Sequence, residues 1–260
     1  MKLIKLLMAL FKINSPKYLS ITSALCVLVL CLFCQSQQVL ANEITIKAAV
    51  AEEFKDGLHS QYLNYIAKQL AMKIDITTMP LARRIQEVKK GNADIIVGLD
   101  FSEARAAQLI YIYPAYEKLS FRFFTLNDNA DEIQSYADLT GKVIGVIRSA
   151  KHHAIFEQDN LLNKYELRSL DSCIKMLLHG RIDIFIHYEE STSAMLMALG
   201  VSDKITKTTY QPTHSNEHYI AISKKSPLAA KQRQLTAVIE KAIQQQDFIQ
   251  MRLLYYKNKR

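Results

Sequence analysis

The chain contains the stretch Gly91-Asn92-Ala93-Asp94-Ile95-Ile96-Val97-Gly98, and the same pattern returns at Gly180-Arg181-Ile182-Asp183-Ile184-Phe185-Ile186. In both copies the glycine follows apolar residues at helical spacing, a place where a glycine with positive φ commonly ends a helix. The apolar run after the aspartate is typical of a buried strand. Two copies of a helix–glycine–strand unit predict two similar α/β units with separate cores.

Further predicted elements surround each copy. Strands are predicted at 44–50, 73–77, 142–147, 165–168 and 219–223, and helices at 58–70, 80–90, 151–159, 171–179, 228–245 and 248–256. Strands that alternate with helices predict parallel sheets flanked by helices. Because ligands in such sheets bind beyond the carboxyl ends of the strands, two facing units predict a ligand cleft between them.

The first 41 residues have the pattern of a secretory signal peptide. They carry four lysines and no acidic residue, and their apolar run at 21–33 is shorter than the roughly 20 residues that span a bilayer. Val39 and Ala41 suit a signal peptidase, so we predict cleavage after Ala41 and export to the periplasm. An uncleaved membrane anchor is the alternative.

The segment after the second unit is expected to pack back on the first. The chain would then cross between the units near 117–120 and near 212–217, and two crossings make a hinge. The predicted organisation is therefore a signal peptide at 1–41, lobe 1 at 42–118 and 216–260, and lobe 2 at 119–215.

Composition argues against several classes of protein. The formal charge of +8 falls to +4 without residues 1–41, and no dense basic block with interleaved aromatics is present, so nucleic-acid binding is not expected. Cys173 is the single cysteine after residue 41, which excludes an internal disulfide in the processed chain. His152 and His153 are adjacent, lack a third ligand and are expected to be solvated. We expect a monomer without metal or cofactor.

Four motifs together resemble family 3 of the bacterial extracellular solute-binding proteins, which includes periplasmic receptors for polar amino acids. They are GNADIIVGLDFSEAR at 91–105, YPAY at 113–116, DLTGKVIGV at 138–146 and LHGRID at 178–183. The resemblance implies a type II periplasmic-binding-protein fold, in which two lobes with mixed, mostly parallel sheets and flanking helices are joined by a two-crossing hinge. It also implies a receptor that delivers a small polar or charged metabolite, amino-acid-like or carboxylate-bearing, to the permease of an ABC importer.

Arg105 is the foremost predicted ligand residue. It follows the predicted N-cap Ser102 in the first turn of a helix, where the helix dipole disfavours a cation unless an anion is near. A guanidinium matches a carboxylate in bidentate fashion, and the resemblance assigns the ligand carboxylate to this position. The alternative is a surface arginine paired with Asp100 or Glu103.

The other predicted ligand residues come from both units. Gly98 ends the predicted strand of the first copy of the repeat and Asp100 follows that strand, where it would take a ligand ammonium or neutralise Arg105. Ser149 and Lys151 lie in a turn whose backbone N–H groups, by the resemblance, bind the ligand carboxylate. Glu52 would face the cleft or the solvent.

The residue at position 188 differs from the one that the family resemblance leads us to expect. Receptors for polar amino acids have an aspartate here that holds the α-ammonium, whereas this chain has Tyr188 followed by Glu189. Either Glu189 takes the role after a slight shift, or the ligand is not a standard α-amino acid. We keep both residues as predicted ligand residues.

Two other functions compete with the receptor. A periplasmic enzyme similar to cyclohexadienyl dehydratases would need a positioned acid–base carboxylate, for which Glu52, Glu53 and Glu189 are candidates. No nucleophile–base constellation is visible in the sequence, so we expect no catalysis. A sensing module that docks on a membrane signalling partner is the other alternative.

Overall fold

The computed structural model describes residues 44–258, so the predicted signal peptide lies outside the described residues. The strands are β1 Thr45–Val50, β2 Lys73–Thr78, β3 Ile95–Asp100, β4 Leu109–Leu126, β5 Val143–Ile147, β6 Asn163–Leu167, β7 Ile184–Tyr188, β8 Ile205–Lys207 and β9 Ser215–Ser223. The α-helices are α1 Leu58–Gln69, α2 Leu81–Lys90, α3 Glu103–Ala106, α4 Ala154–Gln158, α5 Leu170–Leu178, α6 Glu189–Ala198, α7 Gln232–Gln244 and α8 Asp247–Lys257.

The two predicted units have the same strand order. In the first, the order is β2-β1-β3 followed by the antiparallel strand β9, and in the second it is β6-β5-β7 followed by the antiparallel strand β4. The strand pairs within β2-β1-β3 and within β6-β5-β7 are parallel. We call the unit around the first sheet lobe 1 and the unit around the second lobe 2.

The strand β4 joins the two sheets and was not predicted. Its first part pairs with β9 as far as Ser120, and from Phe121 onward it pairs with β7. The hydrogen-bonded order therefore runs without a break from β2 to β6, and the chain passes between the lobes inside a strand rather than in a loop.

The repeated aspartates and glycines perform the same task in each lobe. Asp94 Oδ2 accepts a hydrogen bond from the backbone N–H of Lys47 at 2.7 Å, and Asp183 Oδ2 accepts one from the N–H of Val143 at 2.6 Å. Each carboxylate thus binds the neighbouring parallel strand at its beginning. The glycines that end α2 and α5 have φ angles of 85° and 64°, in the left-handed region that favours glycine.

Each lobe has its own apolar core. In lobe 1, helices α1, α7 and α8 cover one face of the sheet and α2 covers the other, with Ile85 and Val88 packed against Ile96 and Leu99. In lobe 2, α4 covers one face, while α5 and α6 cover the other. Burial on both faces fits the predominantly apolar parallel strands. Within residues 44–258, no helix has the length and apolar character to cross a membrane.

Candidate functional site

A cavity of about 390 Å³ lies between the lobes at the carboxyl ends of their parallel strands. Lobe 1 lines it with residues that follow β1, with the end of β3 and with the first turn of α2, and lobe 2 lines it with the ends of β5, β6 and β7. The volume suits a small solute, and the position is the one expected for ligands of open α/β sheets.

Four of the predicted ligand residues line this cavity: Glu52, Gly98, Asp100 and Tyr188. Glu52 is exposed, whereas Asp100 is buried. Gly98 has a φ angle of 70°, and a Cβ at this position would lie 2.8 Å from Cε1 of His59. A glycine therefore allows the His59 ring to reach the cavity wall.

Asp100 and Tyr188 meet in a hydrogen-bonded cluster across the cleft. The Tyr188 hydroxyl lies 2.7 Å from Nε2 of His218, and Asp100 Oδ1 accepts from Nδ2 of Asn216 at 3.0 Å. Asp100 Oδ1 is also 3.5 Å from Nε2 of His218. Burial would raise the pKa of Asp100, but the hydrogen bond and charge of His218 hold it below its ordinary value. Asp100 already has protein partners, and Tyr188 does not offer a negative charge.

Arg105 is buried beside the cavity but is not among the residues that line it. Ser102 caps its helix as predicted, and the guanidinium donates from Nη1 to the backbone carbonyl of Asp100 at 3.0 Å and from Nη2 to the carbonyl of Ser149. The side chain therefore connects lobe 1 to the predicted ligand turn of lobe 2. Its role in binding a ligand carboxylate stays a prediction.

The turn at 149–151 lies apart from a helix N-terminus. Helix α4 begins at Ala154, later than predicted, because His153 acts as its N-cap. Lys151 binds Glu157 at 3.0 Å, and its carbonyl accepts from Asn216 at 2.8 Å. The expectation that His152 and His153 are solvated is wrong. The His152 ring pairs with Glu157 at 2.9 Å and is almost fully buried, and buried His153 lies with its ring centroid 4.9 Å from that of His214.

Glu189 lies outside the cavity. It is the first residue of α6, and its carboxylate binds Nζ of Lys207 at 2.6 Å and lies 3.4 Å from Nε of Arg122. This side chain lines a different surface pocket, on the side of the lobe junction where Lys118 and Met197 lie.

Sequence reasoning missed several charged residues of the cavity. Glu117 binds Arg252 at 2.7 Å, and Arg252 in turn binds Glu190 of lobe 2 at 2.9 Å. These residues are too far apart in the chain for a local pattern to pair them. Arg84 was also missed, although it falls between Leu81 and Val88 on the apolar face of α2.

Arg84 is buried, with 6% of its surface exposed, and lines the cavity. Its Nε and Nη1 atoms are buried and have no hydrogen-bond partner among the described residues. Burial lowers the pKa of Arg84 to about 10, despite the opposing charge of Glu53, so the side chain remains a cation at neutral pH. Burial also lowers the pKa of the cavity residue His187 to about 4, which leaves its ring neutral.

A family model for the bacterial extracellular solute-binding proteins of family 3 matches residues 51–247. The chain belongs to this family. A search of curated proteins finds no match for it.

Solved structures share the fold of this solute-binding protein at low sequence identity. An amino acid ABC transporter substrate-binding protein from Streptococcus pneumoniae, bound to L-arginine, is 15% identical with a TM-score of 0.72, and the match covers 83% of this chain and 95% of that one. A periplasmic binding protein of Salmonella typhimurium with high arginine specificity is 17% identical with a TM-score of 0.69, and the match covers 82% and 99%. A histidine kinase sensor domain is 14% identical with a TM-score of 0.71, and the match covers 82% and 95%. The predicted two-lobe fold is confirmed.

Polar contacts join the lobes of this solute-binding protein on several sides of the cavity. Arg105 reaches Ser149, Asn216 reaches Lys151, Tyr188 reaches His218, and Arg252 reaches Glu190. Every one of these contacts pairs a residue of lobe 1, or of the strand β9 that leads into it, with a residue of lobe 2. Their strength therefore depends on how closely the lobes approach each other.

Proposed function

We propose that this protein is the periplasmic receptor of an ABC importer, and that it binds a small polar or charged solute, amino-acid-like or carboxylate-bearing, in the cavity between its lobes. The observation that carries this proposal is the cavity itself, which both lobes line at the ends of their parallel strands. Family membership supports solute binding, and the L-arginine bound to the Streptococcus protein supports an amino-acid-like ligand.

The site in this proposal has two parts. Glu52, Gly98, Asp100 and Tyr188 contact the solute in the cavity. A second group, Arg105 with Ser149 and Lys151, acts where the lobes meet and couples solute binding to the approach of the lobes. Glu189 has no part in the site, because its carboxylate is bound to Lys207 away from the cavity.

The hinge in this proposal is the pair of strands β4 and β9, near 117–120 and 212–217. It divides lobe 1, at 42–118 and 216–260, from lobe 2, at 119–215. The exchange of pairing partners between Ser120 and Phe121 supports this position. Ligand would select a closed state, and small-angle X-ray scattering should show a smaller radius of gyration with ligand than without it.

Export is part of the proposal. Cleavage after Ala41 would release the chain into the periplasm, where it would meet the permease. Mass spectrometry of the exported protein should find Asn42 at the N-terminus, and an exported protein that retains residues 1–41 contradicts this step.

Thermal-shift measurements test the receptor function directly. The panel consists of the proteinogenic amino acids, simple mono- and dicarboxylates, and neutral sugars as controls. A ligand at a hundredfold excess over its Kd stabilises the folded protein by about 2.7 kcal/mol, which is a readily measured shift. At least one amino acid or carboxylate should raise the melting temperature. A panel without any stabilising solute, together with an unchanged scattering profile, contradicts the proposal.

The importer partner needs a separate experiment. The loaded receptor should stimulate ATP hydrolysis by its reconstituted ABC importer, and the empty receptor should stimulate it less. Stimulation of a membrane kinase or cyclase instead would favour the sensing alternative.

A further inference from the structure

We propose that Arg84 binds a carboxylate of the solute inside the cavity, which makes this arginine of lobe 1 the anchor of the site. The inference rests on the proposed function, because it assumes that the cavity holds a solute. It names a residue that the sequence motifs do not assign, and it restricts the solute to molecules that carry a carboxylate.

The burial of Arg84 is the first step. Its side chain lies on the apolar face of α2 with 6% of the residue exposed, and Nε and Nη1 have no partner within residues 44–258. Buried charges in folded proteins are normally paired and hydrogen-bonded, because an uncompensated buried charge is costly. An arginine that lines a ligand cavity and has unpartnered N–H donors can therefore bind an anionic group of the ligand.

The other cations around the cavity have partners or are exposed. Arg252 is bound to Glu117 and Glu190, and Arg105 donates to two backbone carbonyls. Arg168 lines the cavity from lobe 2 but is exposed, so water can solvate it. Of the arginines that line the cavity in the described chain, Arg84 is thus the one that combines burial with unpartnered donors.

The acidic residues of the cavity favour a carboxylate over a phosphate. The charge of Glu53 attracts Arg84, but Nε and Nη1 of Arg84 have no hydrogen-bond partner among the described residues. Glu52, Asp100 and Glu117 line the same cavity. Their negative charges would repel a dianion more strongly than a monoanion. A planar, singly charged carboxylate also matches the fork of the guanidinium in bidentate geometry.

The neighbouring residue Arg83 provides a matched control. It stands on the same helix, its side chain is 70% exposed, and it lies 3.9 Å from Glu87 one turn later. Arg83→Met and Arg84→Met remove the same charge from adjacent positions, but only Arg84→Met removes it from the cavity.

Isothermal titration calorimetry with paired probes tests the inference. Each acid that stabilises the wild type in the thermal-shift panel is compared with its primary amide, for example L-arginine with L-argininamide, and inorganic phosphate is titrated in parallel. Arg84→Met should weaken binding of the acid by roughly thirtyfold to several thousandfold, since it removes one partner of a buried charge pair. The same variant should leave the weak binding of the amide unchanged, and Arg83→Met should keep the affinity of the wild type for the acid within about twofold.

The melting temperature of the ligand-free protein separates a binding role from a structural one. Since Nε and Nη1 of Arg84 have no hydrogen-bond partner to lose among residues 44–258, Arg84→Met should melt at or above the temperature of the wild type. A large fall in that temperature assigns Arg84 to the fold and overturns the inference, whether or not a ligand has been found. Binding of the acid by Arg84→Met at wild-type affinity, or tighter binding of phosphate than of any carboxylate, overturns it too. If Arg84→Met binds the acid at wild-type affinity, the inference about Arg84 fails but the receptor function itself stands.

Discussion

The two lobes are built on the same unit and differ in what the unit presents to the cavity. A glycine with positive φ follows each of the helices α2 and α5, and three residues later an aspartate binds the neighbouring strand. Seven residues before the glycine, lobe 1 has Arg84 and lobe 2 has Cys173. Both side chains are buried, with 6% and 1% of the residue exposed.

This difference separates the requirements of the fold from those of the site. Burial raises the pKa of the Cys173 thiol to about 12, so lobe 2 holds a small neutral group at the equivalent helix position. The unit therefore packs without a charge at this point. Arg84 lines the cavity and Cys173 does not, which associates the charge with the cavity rather than with the core.

Removal of the repeated aspartates should have the largest effect on stability, and the loss should be greater in lobe 1 than in lobe 2. Asp94 is buried, whereas Asp183 is exposed, although both accept one strand N–H. Asp94→Ala should lower the free energy of unfolding by about 3 kcal/mol, because the buried carboxylate and its part-buried hydrogen bond to the N–H of Lys47 are lost together. Asp183→Ala should cost about 1 kcal/mol, since water can replace the carboxylate. Urea unfolding measures both, and equal losses would contradict the distinction.

Substitution of the glycines that follow α2 and α5 should also cost more stability in lobe 1 than in lobe 2. An alanine at Gly91 would carry a Cβ 2.9 Å from Cβ of Lys225, whereas nothing lies within 4 Å of a Cβ at Gly180. Gly91→Ala should therefore cost about 2–3 kcal/mol, from left-handed backbone strain and crowding. Gly180→Ala should cost about 1 kcal/mol from backbone strain alone. A larger loss at Gly180 in the same unfolding assay would show that the contact with Lys225 is unimportant.

Two glutamates should show opposite dependence on pH. Burial would raise the pKa of Glu157, but hydrogen bonds from His152 and Lys151 lower it to about 2, so its charge stabilises lobe 2 above pH 4.3 or so and this stability is lost as the pH falls toward 2. Burial raises the pKa of Glu53 in lobe 1, so its charge destabilises the folded state at neutral pH. After allowance for solvent screening, Glu157→Gln should cost about 1 kcal/mol at pH 7 and nothing near pH 2.

Glu53→Gln provides the matched comparison. It should raise the free energy of unfolding at pH 7, and the gain should vanish in acid, where the wild-type carboxyl is protonated in both the folded and the unfolded state. Urea unfolding at several pH values would reveal the two trends. Shifts of the same sign for both variants at pH 7 would contradict the assignment of the two environments.

Arg105→Ala should weaken solute binding by roughly tenfold to a hundredfold, a smaller loss than the upper range expected for Arg84→Met. The variant loses two hydrogen bonds from a charged donor, of which the one to Ser149 connects the lobes. Titration of the same panel ligands measures this loss. An Arg105→Ala protein that binds as tightly as the wild type would remove the arginine from both its predicted and its proposed roles.

Local patterns in the sequence predict much of the scaffold but little of the site. The repeated glycine and aspartate predict both units, because each acts on neighbours close in the chain or on an adjacent strand. The strand β4 escapes prediction because it passes from one lobe to the other and its buried face does not keep a constant period. The cluster of Asp100, Tyr188 and His218 joins residues from three separate strands. No local pattern in a single sequence indicates that these side chains are in contact. Arg84 is an exception, since a charge on the apolar face of α2 is visible in the local pattern.

A crystal structure of the protein with the tightest carboxylate of the panel tests the central claim most directly. We predict that the solute fills the cavity between the lobes, with a carboxylate oxygen about 2.7–2.9 Å from a guanidinium nitrogen of Arg84. The same structure should keep the contact of Arg105 with Ser149. A solute bound elsewhere, or one whose carboxylate is held by Arg105 while Arg84 stays without a partner, would contradict the account.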